Sequence, residues 1–168
     1  IPLDHRIPCC GFLFEEKPKN RRLIRETIPE DLSVRNIIRL KKGEDIFDEE
    51  GKLLFKNEDM TLPPRQSFKY AYCSDTKYNE SIIPIIEGSD MLYHESTFLE
   101  EHRDRAHNTF HSTAKEAATI AEKAKVGKLL LGHFSARYKE LEPIQEEARL
   151  VFPESHLAIE GEEYILDS

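Results

Sequence analysis

The sequence lacks several features that would place it quickly in a class of protein. No apolar run approaches the roughly 18 residues that a membrane-spanning helix needs, and no basic segment followed by an apolar one opens the chain. The three cysteines form an odd number, so a disulfide framework is not expected and a reducing compartment fits better. The formal net charge of −8 excludes a uniformly basic nucleic-acid binder but not a locally basic one.

Several catalytic motifs are missing as well. The sequence contains no G-x-S-x-G nucleophile elbow, no Walker glycine-rich loop and no G-x-G-x-x-G fingerprint. Cys9 and Cys10 are adjacent and Cys73 stands alone, so no C-x-x-C zinc knuckle can be drawn. Without these motifs, histidine and carboxylate side chains are the remaining candidates for a catalytic or metal-binding site.

What is present is one domain's length of sequence with an α/β pattern. The 168 residues lie within the usual range of roughly 100–200 residues for one domain. Short apolar runs typical of buried strands alternate with helical patterns from residue 67 onward. Strands are predicted at 12–14, 68–72, 91–93, 129–131, 157–159 and 164–166, and helices at 82–86, 114–124 and 139–150.

Residues 17–66 differ in composition from the rest of the chain. Between residues 17 and 42 there are nine basic side chains and three acidic ones. The apolar spacing at 32–40 predicts a short amphipathic helix ended by Gly43, and residues 46–55 have the pattern of a hairpin. On composition alone, a solvated, charged excursion on the surface is the simplest interpretation.

Polar residues with metal-binding and acid–base chemistry follow the predicted strands. Asp75 comes after one strand, His94 and Glu95 come after the next, and His133 comes after a third. Loops at strand ends are where α/β proteins place their sites. His111 lies just before a predicted helix N-terminus, where backbone N–H groups could face an anion. Taken singly, each of these residues is more often a cap or an ordinary hydrogen-bonding group.

These residue types suit divalent metal chemistry. Neutral imidazoles and carboxylates bind zinc or manganese. A carboxylate can bridge two ions, and two metals can stabilise both ends of a phosphodiester displacement. Asp75 is the only carboxylate among the strand-end candidates that suits such a bridge.

Five short motifs carry a resemblance to a known family. They are LDHRIP at 3–8 with GF at 11–12, CSDT at 73–76, HESTF at 94–98, HST at 111–113 and GHFSARY at 132–138. In this order they resemble ribonuclease Z, the tRNA 3′-processing endonuclease of the metallo-β-lactamase superfamily. The resemblance extends over essentially the whole chain but matches only the C-terminal half or so of the family's enzyme.

The resemblance implies both an architecture and a substrate-binding element. The expected fold class is α/β, as the C-terminal half of an αβ/βα sandwich with a mixed sheet, helices on one face and an inserted arm. Residues 1–168 would form a single partial domain, and residues 17–66 would be its basic arm or hairpin. Arg21, Arg22 and Arg25 are expected to contact tRNA phosphates there, a salt-sensitive and sequence-independent kind of contact.

The resemblance also implies a set of metal ligands. His5 resembles the ligand that completes the first metal site, Asp75 the bridging carboxylate and His133 the last ligand of the second metal. The implied cofactor is zinc, with two ions in the complete enzyme.

Three further residues are implied to act on the substrate. His111 resembles the histidine that contacts the scissile phosphate or protonates the leaving oxygen, with Glu95 as its orienting partner. Arg137 resembles a phosphate-contacting residue, a task suited to its fork of donors. The implied reaction is attack of metal-activated water on the phosphodiester 3′ of the discriminator nucleotide of precursor tRNA.

The family's H-x-H-x-D-H motif does not occur in the 168 residues. It would supply four more groups, including the aspartate thought to act as general base. We therefore expect a truncated enzyme whose zinc site is weak or vacant and which is inactive without the missing N-terminal half of the same domain. Ile1 in place of Met agrees with this, and the half alone should expose a large apolar sheet surface. A homodimer, a cytoplasmic location and no membrane partner are also expected.

Two alternatives remain open at this point. One is a phosphodiesterase of the same superfamily acting on small substrates, against which the HST segment and the basic arm argue. The other is a non-catalytic RNA-binding module that has lost its metal-binding half. An H-x-H-x-D-H motif in the reading frame upstream of Ile1 would favour the enzyme.

Overall fold

The computed structural model describes residues 1–166, which form an α/β structure with two compact units. Ile1–Glu15 and the described residues from Phe68 onward make up the first unit, and Glu16–Ser67 make up the second. The strands are β1 Pro2–Leu3, β2 Cys9–Cys10, β3 Phe12–Glu15, β4 Arg22–Leu23, β5 Ile46–Phe47, β6 Leu53–Phe55, β7 Thr61–Leu62, β8 Lys69–Cys73, β9 Met91–Glu95, β10 Lys128–Gly132 and β11 Ser155–Leu157. The helices are α1 Val34–Lys41, α2 Asn57–Met60, α3 Ile83–Ile86, α4 Arg103–Thr109, α5 Ala114–Lys123 and α6 Glu142–Arg149.

The first unit is built on a five-stranded sheet with the strand order β11-β10-β9-β8-β3. Strands β8, β9, β10 and β11 are parallel to their neighbours, whereas β3 pairs with β8 in the antiparallel sense. The sheet is therefore mixed, as predicted. Because parallel strands end at the same edge, the segments that follow β8, β9 and β10 are brought together there.

The main core lies on one face of this sheet. Leu92 of β9 and Leu131 of β10 are fully buried against the alanine-rich face of α5. Ala117 and Ala121 on that face are small, so the helix approaches the strands closely. Residues of α3 and α6 complete the same cluster.

The other face of the sheet is aromatic and partly open. Tyr72 and Tyr93 stack with ring centroids 4.6 Å apart, and Phe14 stacks on Tyr70 at 6.0 Å. Phe12 and Phe14 nevertheless remain 54% and 57% exposed. This face carries the exposed large apolar side chains that the sequence analysis anticipated.

The last segment differs from the prediction. The strand expected at 157–159 is displaced to β11, and the strand expected at 164–166 is absent from the described residues. The Tyr164 hydroxyl donates to the Leu157 carbonyl at 2.7 Å and accepts from the Ile159 N–H at 2.8 Å. Side-chain hydrogen bonds thus hold the segment where a strand ladder was predicted, and the prediction at 164–166 was wrong.

The predicted helices of the first unit are confirmed, with one later start. Helix α5 opens with a capping box, because Thr113 accepts from the Glu116 N–H and the Glu116 carboxylate accepts from the Thr113 N–H. The helix predicted at 139–150 begins at Glu142. Pro143 lies in its first turn, the position where proline is tolerated best.

The second unit has a small core of its own. Leu40, Ile46 and Met60 are buried together. Ser33 caps α1, and Gly43 follows that helix with φ of 95°, as a helix C-terminus favours. The predicted amphipathic helix and the hairpin of β5 and β6 are both confirmed. Within residues 1–166 no helix is both long and apolar enough to cross a membrane.

Candidate active site

Asp75 and His133 meet at the edge where the parallel strands end. Asp75 lies two residues after β8, and His133 directly follows β10. The Asp75 Oδ1 and His133 Nε2 atoms are 3.1 Å apart. Both residues have φ of 57°, in the left-handed region that non-glycine residues rarely occupy. Such backbone strain is typical of functional sites, and here it turns both side chains toward one point.

His111 lies beside this pair and is held by Glu95. The His111 Nδ1 atom is 3.0 Å and 3.1 Å from the two oxygens of the Glu95 carboxylate. The rings of His111 and His133 stack with centroids 5.2 Å apart. Because Nδ1 faces the carboxylate, Nε2 is the nitrogen of His111 left for a ligand or substrate.

Glu95 is a fully buried carboxylate whose close neighbours are donors. Its Oε1 accepts from the Thr76 N–H at 2.6 Å, and its Oε2 accepts from the Ser112 N–H at 3.0 Å and the Thr97 hydroxyl at 2.7 Å. With the Nδ1 of His111, four groups converge on two oxygens. Only an ionised carboxylate accepts from all of them, so this pattern requires Glu95 to be charged.

The pKa values of this pair move in opposite directions. The hydrogen bond that His111 donates to the Glu95 carboxylate raises the pKa of His111, and partial burial opposes that shift only in part. Burial works to raise the pKa of Glu95, but hydrogen bonds from His111, Thr97 and Ser112 outweigh it, and the net pKa is lowered. Over the pH range between the two, Glu95 is negative and His111 is protonated.

The four residues form a group that could hold a metal ion. One ligand atom from each of Asp75, Glu95, His111 and His133 lies within 4.8 Å of the others. Glu95 is already saturated by donors, so the Asp75 carboxylate, the His133 imidazole and, when that ring is neutral, the Nε2 of His111 are the groups left for an ion. Oxygen and imidazole nitrogen are zinc ligands, but a zinc site needs three or four protein ligands. The residues therefore fit part of a metal centre.

His5 lies near this group but outside it. Its Nδ1 is 3.0 Å from the Phe110 carbonyl, and its ring centroid is 5.4 Å from that of His111. The carbonyl contact requires a proton on Nδ1 and leaves Nε2 as the ligand atom. The structure thus brings Asp75, His133 and His111 together and places His5 next to them, and its predicted role as a ligand stays a prediction.

Arg137 contacts Phe98, whose ring also lies beside His111. Its guanidinium carbon is 5.1 Å from the centre of the Phe98 ring, and that ring is 6.3 Å from the His111 ring. Phe98 is 5% exposed, so it offers Arg137 a fixed platform for a cation–π contact. Arg137 itself is exposed and available to an anion.

The three predicted substrate-binding arginines belong to the second unit and differ in their surroundings. Arg21 donates through Nε to the buried Thr61 hydroxyl at 2.8 Å, so it helps to hold that unit together. Arg22 donates to the Pro63 carbonyl at 3.2 Å and is exposed. Arg25 is exposed in a short 3-10 turn.

The sequence analysis missed Thr97. Its hydroxyl is 2.7 Å from Glu95, and it is also 2.9 Å from the Nδ1 and 2.9 Å from the carbonyl oxygen of His133. The residue lies inside the HESTF motif at 94–98, which was the available signal. The contact between Thr97 and His133 joins two segments that are distant in the sequence, so the spacing of residues alone could not predict it.

The curated relatives of this chain share one name. The chain is 51% identical over 164 residues to a protein named ribonuclease Z from Cytophaga hutchinsonii, and 51% identical over 162 residues to one from Parabacteroides distasonis. These matches cover 98% and 96% of this chain but only 52% and 53% of the relatives. The chain thus spans about half the length of the curated relatives it matches. A scan against protein-family models finds no match.

Solved structures agree on the fold. A long form RNase Z from yeast matches 56% of this chain and 12% of its own length, with 31% identity and a TM-score of 0.50. The metallo-beta-lactamase fold protein YhfI from Bacillus subtilis matches 54% of this chain and 37% of its own, with 29% identity and a TM-score of 0.51. Human tRNase Z, short form, matches 64% of this chain and 37% of its own at 24% identity and a TM-score of 0.50. The predicted fold class, part of a metallo-β-lactamase fold, is confirmed.

Proposed function

We infer that this chain, a homologue of ribonuclease Z with part of the metallo-β-lactamase fold, supplies part of the active site of a metal-dependent endoribonuclease that removes the 3′ trailer of precursor tRNA. The relatives' name supports the activity and the substrate. The observation that carries the proposal is the convergence of the Asp75–His133 pair with the His111–Glu95 pair at one sheet edge. A pair of metal-ligand type and an acid–base pair are what phosphodiester hydrolysis needs.

Asp75 and His133 are the proposed metal ligands of this chain, with His5 as a third. Zinc is the proposed ion because imidazole and carboxylate are among its usual ligands. When bound, the metal would supply an activated water and charge stabilisation at the phosphate. The remaining ligands would come from outside the described residues, as the missing H-x-H-x-D-H motif also indicates.

His111 is the proposed proton donor. As a water that has given one proton to solvent adds to phosphorus, the bond from phosphorus to the leaving 3′ oxygen would break, and that oxygen would take the proton of His111 Nε2. Glu95 keeps Nδ1 protonated and neutralises the imidazolium before transfer. The raised pKa of His111 keeps a larger fraction of it protonated near neutral pH.

Arg137 and the arm are the proposed phosphate-binding groups. Arg137 would contact a phosphate near the scissile bond from its position on the Phe98 ring. The arm, residues 17–66, would contact phosphates elsewhere on the tRNA through Arg22 and Arg25, with Arg21 playing a more structural part. Such contacts bind RNA without reading its sequence.

A second half-domain is the proposed partner of the aromatic sheet face. The incomplete ligand set and the exposed Phe12 and Phe14 support this, because a large apolar surface is seldom left open. Without that partner the chain should bind zinc weakly and be inactive. A homodimer and a cytoplasmic location belong to the same proposal. The free cysteines Cys9, Cys10 and Cys73 favour a reducing compartment.

The proposal is tested with the full-length protein that carries this chain. Cleavage of a precursor tRNA with a 3′ trailer is assayed with zinc, after chelation, and with zinc restored. We expect zinc-dependent release of the trailer and a tRNA with a free 3′ hydroxyl. Hydrolysis of a small phosphodiester with no action on the precursor would favour the phosphodiesterase alternative. Binding of the precursor without cleavage under any metal condition would favour the RNA-binding module.

A further inference from the structure

Thr97 occupies the point where the two pairs of the site meet. Its side chain is almost fully buried, with 6% exposure, and its one hydroxyl lies within 2.9 Å of atoms of both Glu95 and His133. Its backbone carbonyl also accepts the Ser135 N–H at 3.2 Å, so residue 97 contacts the loop after β10 through backbone and side chain. A buried hydroxyl with this many polar neighbours has little freedom in where its single proton points.

The direction of that proton follows from the acceptors. Glu95 Oε2 is 2.7 Å away and carries charge, and the other groups around that carboxylate are donors. The His133 carbonyl is a neutral acceptor at 2.9 Å. A charge-assisted hydrogen bond to a carboxylate is the stronger of the two, so the hydroxyl donates to Glu95.

The tautomer of His133 then follows. Because the Thr97 proton is committed to Glu95, the hydroxyl oxygen can only accept from His133 Nδ1 at 2.9 Å. With the proton on Nδ1, the lone pair of the neutral imidazole is on Nε2. The opposing influence is the Asp75 carboxylate, an acceptor that favours a proton on Nε2 while no metal is bound. Nε2 is the atom that faces Asp75 Oδ1 at 3.1 Å, where the proposed metal would bind.

We propose that Thr97 is a positioning residue that favours a proton on Nδ1 of His133, the tautomer that leaves Nε2 to a metal, and joins that ring through one hydroxyl to the Glu95–His111 pair. Thr97 contacts neither substrate nor metal in this role and acts through His133 and Glu95. The catalytic consequence rests on the proposed function, whereas the tautomer does not. Partners of this kind behind a metal-binding histidine typically change metal affinity by about 10–100-fold when removed.

The first measurement needs no metal and no substrate. The full-length Asp75→Ala variant, which lacks the carboxylate that faces Nε2, is labelled with ¹⁵N in its histidines, freed of metal and held at about pH 8, above the ordinary histidine pKa of about 6.5. Two-bond ¹H–¹⁵N correlations report the tautomer, and His133→Gln assigns the signal. We expect Nδ1–H in Asp75→Ala and a shift toward Nε2–H, which free histidine prefers, when Thr97→Val is added. An Nε2–H form of His133 in Asp75→Ala would overturn the proposal directly.

The second measurement is zinc affinity, determined by competition with a chromophoric chelator. Thr97→Val keeps the shape of the side chain without the hydroxyl and should weaken binding about 10-fold or more. Thr97→Ser keeps the hydroxyl and should stay close to the matched protein with Thr97 intact in both measurements. Thr119→Val makes the same substitution on α5, where the hydroxyl donates only to the Lys115 carbonyl, and should change neither. Equal zinc affinity in Thr97→Val and wild type would overturn the proposal.

These outcomes separate this proposal from the proposed function. If Thr97→Val fails to fold, the tautomer in Asp75→Ala and the Thr97→Ser variant still decide the matter. Loss of the Nδ1–H tautomer when Thr97→Val is added to Asp75→Ala would support the role of Thr97 even if the wild type cleaved no precursor tRNA. Full cleavage by the wild type, together with the Nε2–H tautomer in Asp75→Ala, would refute the role of Thr97 and leave the endonuclease proposal standing.

Discussion

At the scale of single residues, the contact between His111 and Glu95 controls which group holds a proton. We expect the imidazole of His111 in the metal-free protein to titrate above its ordinary pKa of about 6.5, because the Glu95 carboxylate stabilises the charged ring. In Glu95→Gln that charge is gone, and burial and the charge of Arg6 lower the pKa against the charge of Asp75, which is the smaller cause, so the pKa should fall. Histidine NMR titration of the wild type and of Glu95→Gln measures both values.

The same pair makes a contribution to stability with a defined pH range. The pKa of His111 is raised by folding, so its contribution is complete below about 6.5 and is lost as pH rises through the folded value. The pKa of Glu95 is lowered, so its contribution is present above its unfolded value and is lost as pH falls through the folded one. A His111 pKa that is unchanged in Glu95→Gln would contradict this account of the pair.

Substitutions of Asp75 and His111 should distinguish the residue that binds metal from the residue that donates a proton. Asp75→Ala removes a carboxylate from the proposed metal pair and should reduce both bound zinc and cleavage of precursor tRNA in the full-length protein. His111→Ala removes the proton donor and should cost about 100-fold or more in cleavage while zinc content stays near normal. Zinc content by elemental analysis and single-turnover cleavage give the two readouts.

The contrary outcomes for these two variants are equally specific. Normal turnover by Asp75→Ala would exclude its role as a bridging ligand. Loss of zinc in His111→Ala would mean that His111 is a metal ligand, because it is one of the four residues close enough to share an ion. Glu116→Gln alters a buried carboxylate that pairs with His107 outside the site, and it should change neither readout.

The sequence predicted the residue types of the site better than their contacts. Strand-end position marked Asp75, Glu95 and His133, because the parallel order of the strands follows from an α/β pattern. The left-handed backbone at Asp75 and His133 gives no signal in a sequence without glycine at those places. The shared hydroxyl of Thr97 likewise depends on a distance between two strands, which no local pattern encodes.

At the scale of elements, one glycine shows how tightly β9 and β10 fit beside the site. A Cβ atom added to Gly132 would lie 2.2 Å from the Tyr93 hydroxyl oxygen and 2.4 Å from ring carbon Cζ. The Tyr93 ring is itself stacked on Tyr72 with centroids 4.6 Å apart, so moving it away from residue 132 disturbs that stacking. Gly132→Ala should therefore destabilise the protein by about 1–3 kcal/mol, a typical cost of overpacking.

A double-mutant cycle tests this explanation of Gly132. In a Tyr93→Ala background the clash disappears, so adding Gly132→Ala should cost much less than it does in the wild type. Denaturant unfolding of the four proteins gives the coupling energy. Equal costs in the two backgrounds would show that Gly132 is needed for some reason other than the Tyr93 ring.

Elements were predictable where local chemistry and tertiary packing agree. Helix α5 has a capping box and an alanine face, and both its start and its end were predicted within a residue. The failure at 164–166 has a tertiary cause, because the Tyr164 hydroxyl bonds to the backbone at Leu157 and Ile159. An apolar run next to a glycine turn predicts a strand only if a neighbouring strand is free to pair with it.

At the scale of the whole molecule, the two units differ in the size of their cores and in the apolar surface that they expose. The first unit has a well-filled core on one sheet face and exposed aromatic side chains on the other. The sequence predicted this asymmetry through its resemblance to half of a sandwich and not through composition. The second unit is a small folded body with its own buried residues, which makes the arm more than a solvated excursion.

The excess of positive charge in the arm is confined to its first half, residues 17–42. Residues 17–66 carry 12 basic and 10 acidic side chains in total, so the positive charge is concentrated between 17 and 42. Some of that charge is already engaged, since Arg39 pairs with Glu44 at 2.9 Å. Arg25 is exposed, and the structure shows no ion pair for it among the described residues, so it is the sharper probe of RNA contact.

Reversing the charge of Arg25 should therefore weaken binding of precursor tRNA and leave the chemistry intact. We expect Arg25→Glu to bind the precursor less tightly and to reduce the slope of log K against log salt by about 1, the loss of one phosphate contact. Hydrolysis of a small phosphodiester by the full-length protein should be unchanged, because that substrate needs no remote contact.

Lys125→Glu is the matched control and makes the same change of charge in the exposed turn after α5. This turn lies at the sheet edge opposite the strand ends that hold the site, so the variant should leave the salt slope as it is. Equal losses with both substrates, or equal losses in the two variants, would contradict an RNA-binding arm.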